Sequence, residues 1–298
     1  MPETAELLKR PTSEFLESIL GLKYEVLDDI GFVRVIDWMG NDAAIVQMAR
    51  VSYGEGTTKA RDDEHLIRYL MRHAHTSPFE GCEIKLHLKM PIFVARQWIR
   101  HRTASVNEYS GRYSIMKEEF FIPAQSEISV QSSDNKQGRG DSLEECMAKQ
   151  SVESMTDCSE EAFALYQDLI ELGVAREQAR IVLPLNTYTE MYWKIDLHNL
   201  FHFLKLRCDS HAQYEIRAYA DTILDIVEDW VPMATRAFYD YRMNAVTLSG
   251  PAIAMLRERL KKAEVDMPSQ EESCLGKREY AEVMKSLGLP ESGSWLND

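Results

Sequence analysis

Four arginines, one histidine and a single carboxylate crowd into RQWIRHRTASVNEYSGRYS, residues 96–114. Arginine carries a fixed charge on a fork that matches phosphate oxygens, so this pattern suits anion binding. Read as a helix, the first part stacks Arg96 under Arg100 and Gln97 under His101 on one face. Val94, Ala95, Trp98 and Ile99 fall on the other. A solvated basic face or an interfacial ion network has the same spacing and stays open. Ser110 would need a neighbouring base to act as a nucleophile, and nothing in the local sequence guarantees one, so nucleotide binding is the expected role and a covalent one the alternative. His198 and His202 stand one helical turn apart, and with His73 and His75 they invite a metal reading. A zinc peptidase wants glutamate directly after the first histidine, and here that position is Asn199. No metal site is expected.

The elements that must position these groups can be read from pattern. Residues 1–20 read as a weakly amphipathic arm. Tyr24–Val26 and Phe32–Val35 flank Asp-Asp-Ile-Gly as a hairpin. Asn41-Asp42 caps a helix to about Arg50, and a second helix fits Asp62 to His73, ended by Thr76-Ser77-Pro78. In EIKLHLKM, Ile84, Leu86, Leu88 and Met90 alternate with Lys85, His87 and Lys89, which predicts a half-exposed strand over 83–90. Pro91 opens the helix PIFVARQWIRHR. Residues 125–140, rich in Ser, Gln, Asp and Gly, read as a mobile loop. Helices follow over 141–172 and 175–182, then a strand Tyr188–Ile195 and a helix capped by Asp196. Further helices fit Ala212–Trp230 and the stretch after Pro232. The tail offers a break at Gly250-Pro251 and a charged helix over Ala252–Ala263. Trp98 and Trp193 are expected to pack rather than stack on a ligand. The class is α+β, with helices around a mainly antiparallel sheet in one large domain. Three stretches are expected: an arm over 1–22, a main domain over 23–245, and an extension over 246–298.

The 298 residues are 45% hydrophobic and 28% charged, an ordinary globular balance. Lys and Arg total 34 against 48 Asp and Glu, a net charge of −14 that disfavours a general nucleic-acid partner. Residues 125–160 hold eight acids and three bases, so much of the acidity lies away from the arginine block. Five cysteines without a CxxC pair point to a reducing compartment. The acidic N-terminus lacks a signal pattern, and no apolar run reaches membrane-span length. A cytoplasmic protein with no membrane partner is expected.

RHRTASVNEYSGRYS matches the RHR-x7-S signature of the flavin-dependent thymidylate synthases: Arg100, His101 and Arg102, seven residues, then Ser110. MRHAHTSPFE (71–80), PIFVARQWIRHR (91–102), AREQARIVLPLNTYT (175–189) and HFLKLRCDSHAQYEIR (202–217) also resemble segments of that family. They occur in family order over roughly 30–240. The chain departs from shorter members in its long acidic 125–160 segment and in its tail after about 245.

The resemblance implies methylation of dUMP to dTMP with methylenetetrahydrofolate as carbon donor. Reduced FAD would supply the hydride after NADPH reduces it, in an obligate homotetramer with sites shared between subunits. By resemblance, Ser77, Arg100, His101, Arg102, Thr103 and Glu108 hold FAD. Asp196, His198 and His202 join them, at positions where family members often carry Asn and Arg. Gln97, Arg100, Glu108, Ser110, Gly111, Arg112, Arg180 and Arg207 fall where the family holds the nucleotide. His75 matches a histidine near the flavin and folate, and His75 and Arg207 are the catalytic candidates. A binding protein without turnover and a metallohydrolase are the rival classes.

In DLHNLFHFLKLR each helical residue advances about 100°, which leaves Arg207 roughly opposite His198 and far round from His202. One straight helix cannot aim all three at a compact pocket. Either the site spans subunits or a kink precedes Arg207.

Overall fold

The computed structural model describes residues 11–51, 63–133, 136–263 and 267–289. Residues 1–10 of the expected arm, and Asp62 at the expected start of the second helix, lie outside the described residues. Two compact units form, Met1–Met243 and Asn244–Asp298.

The first unit opens with α1 (Glu14–Ile19), whose N-terminus is capped by Ser13 Oγ accepting from Leu16 N. β1 (Tyr24–Glu25) pairs antiparallel with β2 (Phe32–Met39). Asp28 shapes their turn, its Oδ1 accepting from the Ile30 and Gly31 amides at 2.9 Å. A side chain at Gly31 would strike the Tyr219 hydroxyl and the Val26 carbonyl, so the position needs glycine for space. α2 (Asp42–Arg50) begins at Asn41, whose Oδ1 accepts from the Ala43 and Ala44 amides. α3 (Asp63–Arg72) ends before the expected Ser77-Pro78 stop. That dipeptide instead starts a new turn, α4 (Ser77–Glu80), because proline is tolerated where no helical N–H is required.

β3 (Glu83–Pro91) is the centre of the main sheet, followed by α5 (Ile92–Trp98) and β4 (Ser105–Glu108). The Gln125–Gly140 stretch is not simply a loop: β5 (Ser129–Gln131) and β6 (Arg139–Ser142) form a separate two-stranded hairpin. Next come α6 (Glu145–Glu171), α7 (Arg176–Ala179) with a 3-10 turn over Arg180–Val182, and β7 (Tyr188–Asp196). The unit closes with α8 (Leu197–Arg207), α9 (Tyr214–Trp230), α10 (Pro232–Phe238) and a π-turn over Tyr239–Met243. The main sheet runs β1-β2-β3-β7-β4, antiparallel throughout. An α+β fold on a mainly antiparallel sheet is therefore observed.

One sheet face carries Val33, Val35, Ile84, Leu86, Leu88, Trp193 and Ile195, all buried in one core with α8, α9 and α10. The opposite face of β3 is less exposed than alternation suggests: His87 and Lys89 are only 8% and 7% accessible. Neighbouring side chains cover them. His87 stacks on Tyr192 at 4.7 Å between centroids, and Lys89 Nζ lies 2.7 Å from Glu119. Trp98 and Trp193 are fully buried against Phe203, as packing residues should be.

In the second unit, α11 (Gly250–Ala263) takes in the Gly250-Pro251 pair expected to be a break. α12 (Lys277–Leu287) has no counterpart in the sequence reading and buries Tyr280 and Met284 beside Leu289. Among the described residues no helix is long and apolar enough to cross a membrane.

Candidate active site

α5 stops at Trp98, so Arg100, His101 and Arg102 do not share a helix face with Arg96 and Gln97. The last turn tightens, with the Arg100 amide bonding the Gln97 carbonyl and the His101 amide bonding the Trp98 carbonyl at 3.0 Å. This swings His101 toward α8. Arg207 Nε donates to His101 Nε2 across 3.1 Å, and Arg207 Nη2 reaches the Gln97 carbonyl at 3.4 Å. Burial, then the charges of Arg207 and His202, push the His101 imidazole down to about 4. It is therefore neutral at physiological pH and able to accept from the guanidinium.

α8 runs unbroken to Arg207, which removes the kink alternative. His198 and His202 face a cleft they line with His75, Thr76, Phe201, Phe238, Lys205 and Arg242. Arg207 is not among its lining residues. The two sides of α8 are nevertheless joined, because the His101 ring sits edge-on to His202 at 5.8 Å while accepting from Arg207. Asp196 caps α8, its Oδ1 accepting from the Asn199 amide at 2.9 Å and its Oδ2 from the Asn199 side chain at 2.7 Å. Ser77 is exposed on α4, and Thr103 is exposed beyond the arginine turn.

A further group forms where β4 leaves the sheet edge. Glu108 Oε1 accepts from Thr189 Oγ1 at 2.9 Å. Ser110 Oγ accepts from the Arg112 amide at 3.3 Å, and Arg112 Nε lies 3.2 Å from Glu177 on α7. A side chain at Gly111 would meet Met116 Sδ at 3.0 Å and Arg180 Cδ at 3.2 Å, so glycine lets Arg180 lie against this turn. Among the described residues, no hydrogen bond or ion pair links this group to Arg207, His101 and Gln97.

The electrostatics fit an anionic ligand. Arg100, Arg102 and Arg180 are exposed and have no ion-pair partner among the described residues, in a chain of net charge −14. No group of three or more His, Cys, Asp or Glu side chains gathers for a metal among the described residues. Lys205 escaped the sequence reading although it continues the i, i+4, i+7 face of His198 and His202. Arg242 had no local signal, since only the π-turn after α10 brings it to the cleft.

Exposed guanidiniums of Arg100, Arg102 and Arg180 without ion-pair partners among the described residues, together with a histidine-lined cleft, mark an α+β protein suited to anionic ligands. The sequence model of the family described as Thymidylate synthase complementing protein matches residues 34–233. A flavin-dependent thymidylate synthase of Wolbachia pipientis wMel is 52% identical over 282 residues, covering 95% of this chain and 98% of that protein. Another, from Gluconobacter oxydans, is 53% identical over 285 residues, covering 95% and 93%. A solved UMP/dUMP methylase, PolB from Streptomyces cacaoi bound with 5-Br dUMP, superimposes with a TM-score of 0.65. It is 34% identical, over 71% of this chain and 95% of that one. The chain belongs to the flavin-dependent thymidylate synthase family.

Proposed function

We propose that this protein methylates dUMP to dTMP, taking its carbon from methylenetetrahydrofolate and its hydride from NADPH by way of FAD. The observation that carries the reading is the convergence of Arg207, His101 and Gln97, which joins the RHR turn to the end of α8. It is supported by relatives named for thymidylate synthesis and by a similar fold bound to a halogenated dUMP.

The residues present suit FAD: exposed guanidiniums of Arg100 and Arg102 for a pyrophosphate, and a cleft with His75, His198 and His202 for its rings or adenosine. When bound, the flavin supplies the redox chemistry. The chain's own part is binding and polarisation. Ser110, Gly111 and Arg112 hold the nucleotide, Arg180 orients its base with Arg207, and Glu108 accepts from a ligand hydroxyl or N–H. Arg207, a fixed cation, favours the uracil ring with its nitrogen deprotonated and so activates the base. His75 stands on the flavin and folate side of the cleft.

Within one chain Arg180 belongs to one group and Arg207 to another. A homotetramer in which neighbouring subunits supply the two groups to each site resolves the separation. The synthase domain is assigned to 23–245, with 1–22 as an arm and 246–298 as an extension outside the chemistry. Five free cysteines suit a cytoplasmic location.

The deciding experiment is a visible spectrum of purified protein, followed by NADPH oxidation with dUMP and methylenetetrahydrofolate. Yellow protein, nucleotide-dependent NADPH oxidation and dTMP by mass spectrometry are expected. Protein that stays colourless after FAD addition overturns the reading. Light scattering reports the tetramer.

A further inference from the structure

Glu215 sits in the first turn of α9 with its side chain only 4% exposed, so its carboxylate must find donors inside the protein. Two serve it: the guanidinium of Arg139 on β6, and Gln213 Nε2 at 2.9 Å. A carboxylate only accepts hydrogen bonds. Gln213 therefore turns its NH2 to Glu215 and its Oε1 away, and that oxygen accepts from Gln97 Nε2. Gln97 in turn spends one N–H on Gln213, so its Oε1 and its second N–H are what it can offer a ligand. One buried charge sets the polarity of two amides.

The far end of this relay lies in the acidic 125–160 stretch, for which the site has no other use. Arg139 packs its guanidinium 5.6 Å over the Tyr214 ring, and burial, then the Glu127 carboxylate just before β5, push the Tyr214 hydroxyl's pKa up. The hairpin thus holds both Tyr214 and Glu215 through Arg139. A two-stranded hairpin has little stability of its own, so these anchors also hold Arg139 in place.

We propose that Glu215 is a positioning residue for the nucleotide, orienting Gln97 through Gln213, and that the β5–β6 hairpin holds it there through Arg139. The proposal rests on Gln97 being a nucleotide contact.

Calorimetric titration of dUMP into the FAD-loaded enzyme tests it, with Glu215→Gln, Arg139→Gln, Arg139→Lys, Gln97→Ala and the combinations with Gln97→Ala. A glutamine at 215 keeps the volume but can donate as well as accept, so the relay loses its polarity. Glu215→Gln and Arg139→Gln should each weaken dUMP about tenfold (~1.4 kcal/mol). FAD affinity should hold in the folded variants, and Arg139→Lys should recover much of the loss in dUMP affinity. Neither 215 nor 139 should add a further loss once Gln97 is alanine. Losses that multiply in the double variants, or wild-type affinity in both folded single variants, overturn the relay while leaving Gln97 a nucleotide contact. Wild-type dUMP affinity in Gln97→Ala instead removes the contact itself, and the relay with it. Should Glu215→Gln fail to fold, Arg139→Gln and its combination with Gln97→Ala read the same coupling from the more exposed partner.

Discussion

Arg207 and His101 meet across 3.1 Å, guanidinium Nε to imidazole Nε2, although 106 residues separate them. That bond pins the turn after α5 to the end of α8, and His101 faces His202 from the same position. Arg207 itself does not line the histidine cleft, and His101 is the side chain that touches both it and His202.

Sites built across subunits should show complementation. Arg207→Ala and His202→Ala proteins, each inactive alone, should regain part of the activity when their protomers are exchanged. Activity assays on mixtures with exchange verified by mass spectrometry check this. No recovery would count against shared sites.

The exposed arginines should behave as an anion clamp. Arg100→Ala or Arg102→Ala should weaken FAD or dUMP by ~1.5–3 kcal/mol, the scale of a charge-assisted hydrogen bond. The fold should survive, since both side chains are exposed. Unchanged affinity for both ligands in both variants would reduce the clamp to a surface feature.

His101 should make stability depend on pH in a defined window. Its folded value, about 4, lies below the ordinary 6.5, so between these limits the unfolded chain binds more protons. Stability from this group is fully present above pH 6.5, falls as the pH drops toward 4, and levels off below. A His101→Gln variant should lose that slope in urea titrations from pH 7 to pH 4, and an unchanged slope would refute the assignment.

The core behind the site should be sensitive to size. Trp98 is fully buried, 4.4 Å from Phe203 and 5.1 Å from Trp193 between centroids. Trp98→Ala should cost ~3–5 kcal/mol in urea unfolding. Trp98→Phe should cost well under half of that, because it keeps a ring and removes a buried indole N–H that has no partner among the described residues. Equal losses in the two variants would contradict this.

Much of the scaffold was legible because it rests on local rules. Alternation in EIKLHLKM marks the buried face of β3, Pro91 marks the start of α5, and Asn41 and Asp196 mark helix starts with their own side chains. The ordered motifs from Met71 to Arg217 likewise carry the family without any coordinates. The hairpin at Ser129–Gln131 and Arg139–Ser142 was hidden, because its residues lack an apolar alternation and it is held from outside by Tyr214 and Glu215.

Amino-acid type and spacing alone determined the arginine-rich signature, the helix carrying His198, His202 and Arg207, and the angle between them. Packing decided where α5 ends: periodicity carries Arg100 and His101 onward in the helix, but the tightened last turn lets His101 reach Arg207. Packing also decided that Lys89 is buried, that Arg242 enters the cleft, and that Arg139 reaches Glu215. Capping and periodicity act within a few residues of chain, whereas these contacts join elements that meet only when helices and strands close over a common core.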